Sequence, residues 1–495
     1  MKQHTIRLHP LGKELTVNDQ TPLIDVLHEF GVEFPCGGKG TCGKCRIRLL
    51  DGEIDISDVH AQKITKLGLA EDWRLACFSL CTTDITLEIE QFNHLILADE
   101  SEFSFTSRKG YGVAVDLGTT TIVTQLIDLS TAQVMAVETM LNPQVRFGAD
   151  LISRIQACLD GNAIEMTRII RTAIGTMISL MLKKHQVELQ KVILVGNTVM
   201  QLIFSNCDVS PLSAYPFNTN DLGMKTFHPE DLGWTFTVTE DVVFCDSIGS
   251  FVGSDILAGI VATGLHEREY YTALIDLGTN GEIVIGNKER IVCASTAAGP
   301  AFEGATISMG MRAVTGAISS LNLVEGQIEV NVIGNTVPKG VCGSALIDAV
   351  AIFHKLDLLG MFGEINSGDQ DILLAGKVRL TQKDINEFQL AKAAVAAGLT
   401  IMAKKLYISL TDIHELYIAG GFGNYINITH IVETGMIEIA AEKIHKRGNT
   451  ALIGAKMFLF TDHFITDDIL SKTNLVNLEG DPAFQDIYVD KMLFL

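Results

Sequence analysis

Val113-Ala114-Val115-Asp116-Leu117-Gly118-Thr119-Thr120-Thr121 returns 160 residues later as Ala273-Leu274-Ile275-Asp276-Leu277-Gly278-Thr279-Asn280-Gly281-Glu282. Each copy opens on an apolar run, the pattern of a buried strand. An Asp-x-Gly-Thr turn follows, and a second apolar strand resumes over 122–127 in one copy and 283–285 in the other. One such turn carries little weight, because Asp-Gly pairs end many hairpins. Two copies, each heading an α/β segment, point to a duplicated α/β body.

A third element supports the duplication. His414-Glu415-Leu416-Tyr417-Ile418-Ala419-Gly420-Gly421-Phe422-Gly423-Asn424 reads as a strand, a glycine-rich turn and the start of a helix. Val195-Gly196-Asn197-Thr198 offers the analogous turn in the first half. Together these stretches resemble the acetate kinase, sugar kinase, heat-shock chaperone and actin superfamily. The resemblance implies a duplicated α/β actin-like (RNase H-like) ATPase fold, with two hairpins facing each other across a cleft and gripping a nucleotide's phosphates. There, turn amides and hydroxyls donate to phosphate oxygens, while each aspartate holds Mg²⁺ or orients water. Asp116 and Asp276 are thus the candidate catalytic residues. Gly118, Thr119, Thr120, Gly278, Thr279 and Asn280 would lie on the phosphates of ATP, and Gly420, Gly421 and Gly423 on its adenosine. The first lobe is expected over 111–265 and the second over 266–495.

Nearer the N-terminus, Phe34-Pro35-Cys36-Gly37-Gly38-Lys39-Gly40-Thr41-Cys42-Gly43-Lys44-Cys45 sets three cysteines at Cys-x5-Cys-x2-Cys spacing. Cys77 follows in Arg74-Leu75-Ala76-Cys77. The spacing resembles that of plant-type and adrenodoxin-like ferredoxins, in which four thiolates hold a [2Fe–2S] cluster. Amides must turn inward to meet the cluster's negative charge, and the glycines of this loop permit that approach. Residues 5–8 and 14–17 pattern as a hairpin, 22–30 as a helix, and 46–50 and 85–89 as strands. That is the order of an α+β β-grasp ferredoxin domain over 1–97, followed by a linker over 98–110. Structural zinc also takes four cysteines, but its sites more often come as two close CxxC pairs, whereas three of these share one loop. Gly38-x4-Gly43-Lys44 mimics a phosphate-binding loop, yet Cys45 stands where a magnesium-binding Ser or Thr is needed. Cys81 reads as a spectator.

Composition narrows the class. Of ten cysteines, five fall in the first 81 residues and five are scattered singly through apolar stretches, which favours metal binding at the clustered set over a disulfide framework. A chain of 495 residues with 47% hydrophobic and 20% charged residues excludes a disordered protein. A formal net charge of −21 argues against a nucleic-acid partner. No apolar run reaches the roughly 18–20 residues that span a bilayer, and the first residues lack an apolar signal-peptide core. A cytoplasmic protein without a membrane partner is expected.

With a [2Fe–2S] module in front of this body, the whole chain resembles the reductive activators of corrinoid proteins. Ser295-Thr296-Ala297-Ala298-Gly299-Pro300-Ala301-Phe302-Glu303-Gly304-Ala305, Val341-Cys342-Gly343-Ser344-Ala345-Leu346 and Thr381-Gln382-Lys383-Asp384-Ile385 carry the likeness nearly end to end. It implies an ATP-hydrolysing electron-transfer activator serving a corrinoid protein of a methyltransferase system. An electron from a low-potential donor would pass through the cluster on Cys36, Cys42, Cys45 and Cys77 to Co(II), restoring Co(I). Ser295 is the candidate that approaches the cobalt. The resemblance also implies a middle region, for which only a short linker stands ahead of the body. Three other readings stay open. A small-molecule kinase with an accessory cluster needs a general base that the sequence does not single out. An activator of another low-potential metalloenzyme would usually bridge a [4Fe–4S] cluster from cysteines inside the body, and here the clustered cysteines lie outside it. A redox sensor would use nucleotide only for shape.

Overall fold

The computed structural model describes the chain apart from residues 1, 10–12, 28–29, 31, 33–44, 68, 71, 90–102, 279, 297, 300, 303, 305, 314–315, 367, 369, 421–422, 462–463 and 495. At the N-terminus, five strands form a sheet in the order Lys13–Asn18, Gln3–His9, Ile85–Glu88, Arg46–Asp51, Trp73–Leu75. Gln3–His9 and Ile85–Glu88 run parallel, with Ile6 opposite Ile85, and the other pairs are antiparallel. The alternation of Gln3–His9 explains its place, since His4, Ile6 and Leu8 all fall on the buried face. Ile6, Leu8, Leu27, Ile47, Leu75 and Leu87 make one core beneath the sheet. The helix expected over 22–30 starts later, and is described over Ile24–Leu27, with 28–29 outside the described residues. Thr21 and Pro22 are drawn instead into pairing with Cys81 and Leu80.

The body repeats one topology twice. In the first lobe the antiparallel strands Tyr111–Leu117, Thr121–Asp128 and Val134–Leu141 are joined by Leu189–Gly196 and Val242–Phe244, both parallel to Tyr111–Leu117. In the second lobe Thr272–Leu277, Gly281–Gly286 and Ile291–Thr296 are joined in the same way by Glu415–Ala419 and Ile444–Gly448. Numbering only the five strands common to the lobes, both sheets read third, second, first, fourth, fifth. Each adds one edge strand, Lys225–Phe227 beyond the fifth in the first lobe and Thr473–Leu475 beyond the third in the second. Both expected hairpins therefore form, and both aspartates end the first strand of a lobe.

Long helices bury each sheet. Ala163–His185 packs on the first lobe and Gln382–Lys405 on the second, the latter started by a reciprocal cap between Thr381 and Asp384. Between the lobes, Ser254–Thr263 lies against Thr450–Phe458. These two helices sit in a core shared by both lobes, with Ala114, Ile193 and Val195 from one and Leu274, Val284 and Cys293 from the other. The crossing is tight enough that a Cβ at Gly454 would run into the carbonyl of Ala258.

Residues 98–102 of the expected linker lie outside the described residues. The rest is docked on the body. Phe103 and Phe105 cluster with Phe460, and the Arg108 N–H donates to the Leu129 carbonyl at 2.9 Å. Asp25 of the N-terminal domain stands 3.6 Å from Arg146 of the first lobe. Among the described residues, no helix is long and apolar enough to cross a membrane.

Candidate nucleotide cleft and cluster site

Strand register brings the catalytic candidates to one end of each sheet. Asp116 lies opposite Val195, so the Gly196-Asn197 turn begins beside Leu117. Asp276 lies opposite Ala419, so Gly420 follows directly beside Leu277. Gly420 has φ +88°, and a Cβ there would stand 2.7 Å from an Asp276 oxygen and 2.9 Å from the Leu277 carbonyl. Only glycine fits such a place. The equivalent turns of the two lobes thus meet their aspartates in the same way.

Asp116 reaches across the lobes. Its Oδ2 accepts a hydrogen bond from Asn449 Nδ2 at 2.7 Å, while Asn449 Oδ1 caps the helix Thr450–Phe458 by accepting from the Leu452 N–H at 2.8 Å. A third carboxylate, Asp255, enters at the first turn of Ser254–Thr263. That helix is pinned to the end of the fourth strand of its lobe. Ser254 Oγ accepts from the Gly196 N–H at 3.1 Å and donates to the Gly196 carbonyl at 3.2 Å. A fourth, Glu282, accepts from Ser295 Oγ at 3.3 Å, across paired strands.

These four acids are half-buried and feel one another. Burial pushes Asp116 up to about 6, against the hydrogen bond from Asn449. Burial first, then repulsion from Asp116, pushes Asp276 to about 7. Asp255 also rises to about 7, through burial and then Asp276. Glu282 is raised well above the usual carboxylate range by burial and by Asp255 and Asp276. Such a cleft attracts a hard cation that neutralises it. Among the described residues, no three side chains of His, Cys, Asp or Glu stand close enough to hold a metal ion by themselves. The donor set fits Mg²⁺ taken up with water and phosphate oxygens, the usual manner of that ion.

The two Asp-x-Gly-Thr turns differ in their support. In the first, the carbonyls of Gly118 and Thr120 accept from Asn142 Nδ2 and Asn142 N, each at 2.9 Å, and the carbonyl of Thr119 accepts from Arg154. In the second, the Gly278 N–H donates to the Asn280 carbonyl at 3.0 Å within the turn itself. Thr279 and Gly421 lie outside the described residues. Gly423 opens the short turn Gly423–Tyr425 after Gly420.

In the N-terminal domain, Cys45 Sγ and Cys77 Sγ stand 3.3 Å apart. Cys45 precedes the strand Arg46–Asp51 and Cys77 sits in the turn Ala76–Phe78, stitched together by the Ala76 N–H donating to the Cys45 carbonyl at 2.8 Å. Two thiols brought together from 32 residues apart suit a shared inorganic core. Cys36 and Cys42 lie outside the described residues. Cys81 points away, its thiol 3.4 Å from the Thr83 carbonyl and pushed by burial up to about 11.

Sequence reading did not assign Asp255, Glu282, Asn449, Asn142 or Arg154. Glu282 lay inside the quoted repeat, and an Asn before Thr450 is a helix-cap signal. The others carry no local signal.

Three family models match the chain in succession. A 2Fe-2S iron-sulfur cluster binding domain covers 6–82, the RACo middle region 111–268, and the C-terminal domain of RACo, the ASKHA domain, 270–495. The chain belongs to the RACo family. The family's middle region, which the sequence reading took to be missing, is therefore present in this RACo chain as the first lobe. The chain is 28% identical to the corrinoid activation enzyme RamQ of Eubacterium limosum, over 98% of each protein. It is 27% identical to a [Co(II) methylated amine-specific corrinoid protein] reductase of Methanosarcina barkeri, over 72% of each. Among solved structures, a reductive activator for corrinoid, iron-sulfur protein superposes with a TM-score of 0.69 at 26% identity, covering 99% of this chain and 98% of the other. A ferredoxin domain ahead of an actin-like ATPase body is the architecture expected from the sequence.

Proposed function

We propose that this RACo-family chain is an ATP-dependent reductive activator of a corrinoid protein. It acts in the cytoplasm, takes an electron from a low-potential donor, and passes it to Co(II) on the partner to restore Co(I). The observation that carries this reading is the joining, in one chain, of a paired-thiol ferredoxin site to a cleft where acids from both lobes meet two phosphate turns. The full-length likeness to proteins named for corrinoid activation points to the acceptor.

Cys36, Cys42, Cys45 and Cys77 would hold a [2Fe–2S] cluster, which supplies a one-electron carrier near about −400 mV in plant-type ferredoxins. Reducing a more negative Co(II)/Co(I) couple is uphill, so binding must change one end of the transfer. The body's residues are arranged to couple that binding to nucleotide. Gly118, Thr119 and Thr120 receive phosphate oxygens from one side, and Gly278, Thr279 and Asn280 from the other. Asp116 and Asp276 would hold Mg²⁺ or orient the attacking water, and Gly420, Gly421 and Gly423 would line the adenosine. Since Asp116 also bonds to Asn449, a nucleotide that draws on Asp116 acts on the helix joining the lobes. Closure then favours one state of the partner's cobalt, and hydrolysis releases it.

Ser295 is assigned to the cobalt side on the family likeness, and its bond to Glu282 ties it to the nucleotide acids. Ser295→Ala separates the two roles. Loss of Co(I) formation with ATP binding kept supports the cobalt assignment, and loss of ATP binding alone assigns Ser295 to the nucleotide.

The test combines the reconstituted chain, a low-potential reductant, ATP, Mg²⁺ and a Co(II) corrinoid protein, and follows the Co(I) absorption band. Appearance of the band only with ATP supports the reading. Its absence across several corrinoid carriers removes it.

A further inference from the structure

The first phosphate turn has its acceptors filled and its donors open. The carbonyls of Gly118, Thr119 and Thr120 are all taken, two by Asn142 and one by Arg154. Among the described residues, the N–H groups of the same three residues, and the hydroxyls of Thr119 and Thr120, meet no acceptor. A peptide unit fixed by its oxygen has the N–H of the following residue fixed in the opposite direction, so the hold on the Gly118 and Thr119 carbonyls sets where the Thr119 and Thr120 amides aim.

The clamp is buried and built in layers. Asn142 and Arg154 are both fully buried, at 0% exposure. Asn142 Oδ1 accepts from the Gln144 N–H at 3.0 Å, which orients its amide so that Nδ2 faces Gly118. Arg154 Nε donates to the Gly148 carbonyl at 3.0 Å, and Nη1 donates to Gln144 Oε1 at 3.2 Å and contacts Met200 Sδ at 3.1 Å. Gln144 is itself held by the Met166 carbonyl, which accepts from Nε2 at 3.1 Å.

Arg154 is a buried cation without its own counter-ion. Among the described residues, its hydrogen bonds go to the Gly148 and Thr119 carbonyls, Gln144 Oε1 and Met200 Sδ, and none to a carboxylate. Asp150, the acid whose charge acts on it, accepts from the Ser153 N–H and hydroxyl instead. Burial lowers the guanidinium to about 9, which leaves it charged at neutral pH. Buried charges are ordinarily paired, because an unpaired one is costly. A polyphosphate on the far side of the turn would be that pair.

The geometry points to Asn142 and Arg154 as positioning residues for the nucleotide: they hold the Gly118-Thr119-Thr120 turn by its carbonyls so that its amides face phosphate, and the buried guanidinium is balanced by the phosphate's charge. The inference rests on the nucleotide reading above and adds residues from outside both hairpins. In the second lobe the Gly278 N–H is already spent on the Asn280 carbonyl, and Thr279 lies outside the described residues.

The experiment uses the full chain and reads the ATP-dependent rise of its unfolding temperature and the Kd for ATP. Asn142→Asp is near-isosteric, keeps the acceptor for Gln144, and replaces the donor to Gly118 by a repelling oxygen. Arg154→Ala removes the fork and the charge. Both variants are expected to unfold cooperatively without nucleotide and to bind ATP at least about tenfold more weakly, equivalent to about 1.4 kcal/mol. Low-millimolar guanidinium is expected to restore binding to Arg154→Ala, and sodium chloride of equal ionic strength is not. ATP binding at the parent's Kd in either folded variant overturns the inference. If Arg154→Ala fails to fold, Asn142→Asp alone decides. A parent chain that ignores ATP removes the nucleotide reading itself, and the inference falls with it.

Discussion

The two lobes share a strand order but differ at the turns that end their first strands. The first lobe's Asp-x-Gly-Thr turn is braced from behind by a buried asparagine and arginine. Among the described residues, the second lobe's turn closes on itself through the Gly278 N–H and the Asn280 carbonyl, and its surroundings are acidic, with Glu282 on the next strand and Asp255 arriving from the interlobe helix. Duplication therefore preserves the scaffold, while residues added outside the repeat brace the first turn. The acids come from both lobes, Asp116 and Asp255 from the first and Asp276 and Glu282 from the second, so the difference lies in how the two turns are held.

The largest expected break in this comparison is chemical. Asp276→Ala is expected to lower ATP turnover by about a hundredfold or more, as loss of a group acting on the developing charge does, while leaving the cluster's visible spectrum intact. Cys42→Ala is expected to do the reverse, and the pair of spectra and phosphate-release rates checks both. An Asp276→Ala chain that hydrolyses ATP normally would remove the role given to the second lobe.

Next comes the joint between the lobes. Gly454→Ala places a methyl group against the Ala258 carbonyl, where neither helix can yield without shifting the other. A loss of about 1–3 kcal/mol is expected, typical of overpacking in a close core, visible as a lower denaturant midpoint together with weaker ATP binding. Weakened stability with unchanged ATP affinity would show that the helix crossing does not set the cleft.

The acids predict a pH dependence with a definite sign. Asp116, Asp255 and Asp276 are raised to about 6, 7 and 7 in the folded chain, so the folded state holds more protons than the unfolded one above pH about 4. Their contribution to stability is present at acidic pH and is lost as pH rises through about 6 to 7. Without nucleotide the body's unfolding temperature is expected to fall over that window, and Mg²⁺ with ATP is expected to flatten the fall. Calorimetric scans between pH 5 and 8 check it, and a rise with pH would contradict the carboxylate cluster.

The smallest effect is expected at Cys81. The thiol is buried and bonded to the Thr83 carbonyl, so Cys81→Ala is expected to cost about 1 kcal/mol or less and to leave iron content and spectrum unchanged. Loss of iron would make it a ligand.

What could be read from the sequence was local. Each Asp-x-Gly-Thr hairpin announces itself within ten residues, and the alternation of 3–9 is enough to place that strand in a sheet. The helix over 22–30 was overextended because the pull of Leu80 and Cys81 on Thr21 and Pro22 comes from far along the chain. The same holds for the supporting residues of the cleft. Asn142 lies 24 residues from Gly118, Arg154 lies 35 from Thr119, and Asn449 lies 333 from Asp116. Topology, not spacing, brings them together, so no motif could have named them. Asp255 is hidden for the same reason, since nothing in its own helix says that the N-terminal turn opens on Asp276.

The coupling of nucleotide to electron flow is tested most directly by one anaerobic measurement. Chain with a reduced cluster is mixed with a Co(II) corrinoid protein, and cluster oxidation and Co(I) formation are recorded together, with and without ATP and Mg²⁺, in the parent and in Asp276→Ala. The account predicts equal amounts of cluster oxidised and Co(I) formed, in the parent only and with ATP only. The same Co(I) yield with and without ATP, or in Asp276→Ala, would contradict it.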